Sequence, residues 1–184
     1  MFASRSFAYL TTLGALFAGV ALLGPAQPAD AHESIGSAGP PWISIETPVN
    51  PYDATTRGAF LLVHAFHHGT ELTAPVSGVA QGIVNGERRT VQLDFATTSR
   101  VGAYALRKQW ADAGVWTLVI TVTQHAGDVA QALVDIGTDG QVARVQVPTR
   151  PGEGNYLMPR QVSMQEVDNA LRERARVAVA QRGK

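Results

Sequence analysis

The sequence predicts an all-β chain. The expected architecture is an antiparallel β-sandwich of about seven to eight strands, with an N-terminal signal helix and one C-terminal amphipathic helix. Three observations carry that expectation. Between residues 42 and 148, short β-type runs alternate with clusters of Gly, Pro, Asn and Asp. Asn85-Gly86 lies between two of those runs, a pairing suited to a tight hairpin because both turn residues need positive φ. Beyond residue 160 the apolar period changes to the three-to-four spacing of a helix.

Composition excludes several classes. The chain has 184 residues, 45% of them hydrophobic and 16% charged, which is too apolar and too weakly charged for general disorder. Lys+Arg and Asp+Glu are 15 each, so no global field favours nucleic acid, and none is expected as a partner. There is no Cys, which excludes disulfides, thiolate metal sites, iron–sulfur clusters, thiol nucleophiles and lipidated cysteine. The balance hides an asymmetry: from Arg160 onward six basic and three acidic residues give net +3.

The first element is a signal peptide, residues 1–31. Arg5 is the only charge before Asp30, residues 7–23 are almost wholly apolar, and Ala29-Asp30-Ala31 forms an A-x-A site. The apolar stretch of about 17 residues is at the short limit for spanning a bilayer. An uncleaved anchor is the alternative reading. Cleavage after Ala31 leaves no stable membrane span and makes His32 the first residue of a periplasmic or secreted protein. Cleavage after Ala29 would instead place His32 third.

Residues 32–41 (HESIGSAGPP) read as a flexible leader. The sandwich domain is expected over 42–148. Its first strand is WISIE (42–46), which alternates in polarity and ends at a Pro/Asn/Asp loop. GAFLLVHAF (58–66) follows as a strongly apolar strand. Residues 76–84 and 87–95 flank the Asn-Gly turn, and a two-residue loop pairs Val84 with Glu87. Val91, Leu93 and Phe95 then oppose Ala80, Gly78 and Val76, large residues against small ones in one core layer. Thr90, Gln92 and Asp94 point the other way.

Residues 102–110 form the next run, with Trp110 expected half-exposed at its end. In 115–124, Trp116, Leu118, Ile120 and Val122 share one face, and Thr117, Val119, Thr121 and Thr123 the other. Residues 129–136 and 141–147 complete the set. A Pro/Gly-rich linker is expected over 149–162, and a helix over 163–180. Ser163 and Glu166 form a capping box. Met164, Val167, Leu171, Ala175 and Ala178 make its apolar stripe, and Asp168 and Arg172 an i,i+4 pair.

Three features of residues 74–122 carry a family resemblance: Pro75-Val76-Ser77-Gly78, Gly102 with Tyr104, and Gly114 with Trp116, Thr117, Leu118 and Ile120. In these the chain resembles exported immunoglobulin-like domains of the YtkA-like and FixH-like kind. The resemblance covers about a quarter of the chain and implies an immunoglobulin-like sandwich in families often near copper biology. The Met- and His-containing MPxMgH type of segment found in many of them is absent.

The histidines are the candidate metal site. Three of the five fall in HAFHHG, as His64, His67 and His68. Strand alternation puts His64, Phe66 and His68 on one face and His67 on the other. A mature N-terminal His32 would offer its α-amine and Nδ1 to the same ion. Exported copper-binding sandwiches of the CopC type are similar in carrying a His at the mature N-terminus, although the rest of their pattern does not match. Imidazole and amine nitrogens suit copper. Zinc is less favoured, since no fourth ligand is evident. Each histidine also has a plain reading, as a strand, loop or leader residue.

No HExxH, P-loop, GxGxxG or GxSxG motif is present. The reading is a non-enzymatic exported binding module of the cell envelope, with copper as candidate ligand. The alternatives are a protein–protein interaction module without metal, or an accessory domain of a hydrolase or carbohydrate-active system. Oligomeric state is not legible.

Overall fold

The computed structural model of the chain describes residues 39–152, 154 and 156–183. The segment expected as a signal peptide and the expected leader up to residue 38, with His32, lie outside the described residues. The fold is built from antiparallel strands in three sheets with one C-terminal helix.

The first sheet contains β1 (Trp42–Glu46), β2 (Leu61–His67), β3 (Thr70–Glu71), β6 (Phe95–Thr97) and β7 (Ala103–Leu106). Its order is β1-β2-β7-β6, with β3 also paired to β2. The second contains β4 (Val76–Val84), β5 (Glu87–Leu93), β8 (Val115–His125), β9 (Asp128–Ile136) and β10 (Val142–Gln146), in the order β10-β9-β8-β4-β5. β1 is an edge strand, flanked in sequence by Pro40 and Pro41 before it and Pro48 after it.

The β4–β5 hairpin has the expected register, with Val84 opposite Glu87, Ala80 opposite Val91 and Gly78 opposite Leu93. Asn85 and Gly86 both have positive φ, at 52° and 83°. The expected pairing of Phe95 with Val76 does not occur. β5 stops at Leu93, and Phe95 pairs with Leu106 in the other sheet. Only Asp94 lies between the two strands, so its backbone groups lose their ladder there. The Gln109 side chain replaces it: Asp94 N–H donates to Gln109 Oε1 at 2.9 Å, and Gln109 Nε2 donates back to Asp94 C=O at 2.8 Å.

The inward faces of the two sheets share one apolar cluster. Ile43, Leu61, Val63, Ala65, Tyr104 and Leu106 come from the first sheet. Trp116, Leu118, Ile120 and Val122 on β8 meet Ala130, Ala132 and Val134 on β9 from the second, so the inward face of β8 is the one its alternation implied. Tyr104 is anchored at its polar end, where its hydroxyl accepts the Ala74 N–H at 2.9 Å. Trp110 corrects an expectation. It is only 6% exposed, because Phe60 packs edge-on against it with ring centroids 5.1 Å apart.

The other face of the second sheet is also covered. Helix α1 (Met164–Arg182) lays Val167, Ala170 and Leu171 on Leu133, Val119, Ile83 and Val115. Its capping box forms as the sequence implied, with Glu166 N–H donating to Ser163 Oγ and Ser163 N–H to Glu166 Oε2. Of the expected apolar stripe, Val167 and Leu171 join the cluster against the sheet, and Met164, Ala175 and Ala178 do not. Met164 is 62% exposed, and Ala170 takes its place against the sheet. Asp168 does not pair with Arg172 but with Arg88 on β5, while Arg172 turns to Asn169. A contact to another element has displaced a local one of only a few tenths of a kcal/mol.

The segment expected as a linker holds a small ribbon, β11 (Thr149–Pro151) paired with β12 (Leu157–Pro159). Three-residue strands are too short for alternation to reveal. The chain then returns to the sheet, where Val162 N–H donates to Gln131 Oε1 at 2.7 Å.

Two outcomes are expected. A Cβ at Gly82 would fall inside the Trp116 indole, so Gly82→Ala should lower unfolding free energy by about 1–3 kcal/mol in urea titration. The Glu166 carboxyl, accepting from Arg160 and the Ser163 N–H, is held down to about 2 against an ordinary 4.5. Its folded pKa is depressed, so its contribution is complete above about pH 4.5 and is lost as pH falls toward 2. Glu166→Gln should flatten that part of the stability–pH curve.

Candidate metal-binding corner

β2 carries the histidine cluster, and its core pattern fixes which side each residue takes. Leu61, Val63 and Ala65 face the shared core, so His67 is the next inward position. His64 faces outward between Ser44 on β1 and Ala103 on β7.

His64 is already engaged. Its Nε2 lies 2.9 Å from Glu46 Oε2, and a carboxylate there makes the imidazole the donor. Arg100 Nη2 donates to the same oxygen at 3.3 Å. Burial raises the Glu46 pKa, but the hydrogen bond from His64 and the Arg100 charge outweigh it and hold the carboxyl below its ordinary range. The guanidinium also repels any cation brought to this pair. The His64 ring stacks on Phe66, with centroids 6.2 Å apart.

The expectation that His64 and His68 share a strand face fails, because His68 is not in the strand. β2 and β3 form a tight hairpin in which His67 pairs with Thr70 and His68-Gly69 is the two-residue turn. His68 has φ 49° and Gly69 φ 78°, the two positive values that such a turn requires. Alternation therefore ends at His67. The signal was present in the sequence as His-Gly between two β-type segments, a weaker form of Asn-Gly.

The turn brings His67 and His68 together. Their ring centroids are 4.2 Å apart, with the planes at 64°. His67 Nε2 is buried and has no hydrogen-bond partner among the described residues. His68 opens onto a groove of about 260 Å³ lined also by Gly39, Pro40, Trp42, Tyr156 and Met158. Trp42 is 39% exposed and Tyr156 58%, so the groove has an open aromatic rim. Gly39, the first described residue, lies in its wall. Sequence reasoning missed Trp42, Tyr156 and Met158 as neighbours of His68, because the ribbon that carries the last two was read as linker.

Among the described residues no three His, Asp or Glu side chains converge as a metal cluster. The structure thus separates His64 from His67 and His68, and His32 lies outside the described residues. His125 is exposed at the end of β8. Among the described residues no helix is long and apolar enough to cross a membrane.

The His64–Glu46 contact should act as a structural clip. His64→Ala and Glu46→Ala should each destabilise by about 1 kcal/mol, and a double-mutant cycle in urea should return a coupling of about 0.5–1.5 kcal/mol. No protein-family model matches the chain, and no curated protein or solved structure matches it significantly.

Proposed function

We propose that the chain is an exported, non-enzymatic binding module of the cell envelope, an immunoglobulin-like β-sandwich that takes copper at the turn after β2. The observation that carries this reading is the His67–His68 pair, two imidazoles in contact, one with a buried nitrogen that finds no hydrogen-bond partner among the described residues. A buried polar atom without a partner costs free energy unless something binds it. Imidazole nitrogen ranks copper highest among the divalent ions.

Two features support the rest. The charge, apolar run and A-x-A site of residues 1–31 favour export. The two five-stranded antiparallel sheets with a common core favour the sandwich, and the short positive-φ turns fit it. His32 remains a candidate third ligand. His64 stands outside this site, bound to Glu46 beside Arg100. A second reading, a protein partner without metal, draws on the exposed Trp42 and Tyr156 rim.

The test is Cu(II) titration of the mature protein by electron paramagnetic resonance. His67→Gln and His68→Asn should each weaken binding tenfold or more, with His64→Ala within twofold of wild type. Asn is chosen at 68 because it tolerates positive φ. Binding no tighter than that of free amino acids, or binding indifferent to residues 67 and 68, would overturn the metal reading.

A further inference from the structure

The groove that His68 opens onto has walls suited to a chain rather than an ion. We propose that it receives a proline-rich segment of a partner protein in the polyproline II conformation, an inference that rests on the partner reading of the Trp42–Tyr156 rim and not on copper.

The shape of the groove calls for something extended. It holds about 260 Å³, and a second hollow of about 210 Å³ adjoins it, sharing Pro40, Met158 and Pro159 as walls. Each falls below the range of about 300–1,000 Å³ typical of pockets that enclose a compact ligand. Two open hollows with a common wall form a track along which a chain can lie. Strand β12 supplies Met158 and Pro159 to that wall.

The chemistry of the walls narrows the occupant. The described lining of the first hollow holds no Asp, Glu, Lys or Arg. A charged segment would lose hydration there without gaining a counter-ion, so the complementary occupant is uncharged. The same lining has no amide or guanidinium side chain, and a sugar, whose hydroxyls need several fixed donors and acceptors, is poorly served. What it has is Trp42 and Tyr156, both exposed, with Pro40, Pro159 and His68 around them. Aromatic-lined grooves take proline rings, which are apolar and stiff. The polar groups of a polyproline chain are carbonyls alone, and the two aromatics carry an indole N–H and a phenol hydroxyl that can donate to them.

The backbone context selects the conformation. Pro40 lies in the groove wall and Pro41 follows it, so the chain entering β1 has no N–H donors at these positions for an added strand. A polyproline II segment needs none, since its backbone makes no ladder. An open groove makes few contacts, and a segment already stiff before binding loses less conformational entropy.

Calorimetric titration of the mature full chain with decaproline tests the proposal, beside a mixed aliphatic peptide of the same length and a neutral oligosaccharide. Decaproline should bind, and Trp42→Ala and Tyr156→Ala should each weaken its binding tenfold or more. Trp42→Phe, which keeps an aromatic face, should weaken it less, and Val179→Ala, on the exposed end of α1, should leave it within twofold. Absence of decaproline binding, or binding indifferent to residues 42 and 156, overturns the proposal. If the aliphatic peptide then binds and depends on those two residues, the partner reading stands without the proline preference. If neither peptide does, or the oligosaccharide alone does, both readings fall.

Discussion

A carboxylate buried on the outer face of the second sheet sets the terms on which the molecule closes. Asp135 is 1% exposed, and a carboxylate so placed costs several kcal/mol unless it is paired and hydrogen-bonded. Thr117, opposite it on β8, donates to Oδ1 at 2.8 Å. Arg144 on β10 donates through Nε to Oδ2 at 2.8 Å. Arg144 also reaches Glu173 on the helix at 3.6 Å, so one guanidinium joins the edge strand, the buried carboxylate and α1. Beside this group Val119 and Leu133 form an apolar patch that α1 covers. β8 therefore has a dry face toward the shared core and a partly dry face beneath the helix. A helix is needed there because a sheet with apolar residues on both faces has no solvent side.

This arrangement changes the meaning of the charge asymmetry. From Arg160 onward the chain is net basic, and residues 32–159 are net acidic. The contacts run partly the opposite way. Acidic residues of the helix hold basic residues of the second sheet, Asp168 with Arg88 and Glu173 with Arg144. Each of these pairs is partly solvated and individually weak. Together they set the rotation of the helix, which an apolar stripe containing alanines defines less sharply.

Local chemistry made much of the fold legible. The 42–46 strand, the Asn-Gly register and the capped helix each follow from neighbours in sequence, where steric and hydrogen-bond rules act over a few residues. The failures have a common cause, a distant partner. Phe95 leaves its hairpin because Leu106 offers a place in the other sheet. Trp110 is buried by Phe60, fifty residues away. Asp168 prefers Arg88 to its helical neighbour. In the candidate site the residue types were legible but their grouping was not. His68 lies in a turn whose second residue is glycine, and the ribbon beside it has strands too short to show a period. Spacing along the chain thus joined His64 to His68, while the backbone joins His68 to His67.

The edge strand β1 bears on assembly with other chains. An unpaired strand edge is a template on which another chain can add a strand, and the process can repeat without limit. Here the open segment is five residues long, with prolines close to both ends that cannot donate to a new ladder. An incoming strand would lose hydrogen bonds as soon as it extended past Trp42 or Glu46. The short, proline-flanked edge is thus a guard against such addition. The guard also leaves the Trp42 side chain open at the groove, so contact there can be made by side chains without inviting the backbone to polymerise.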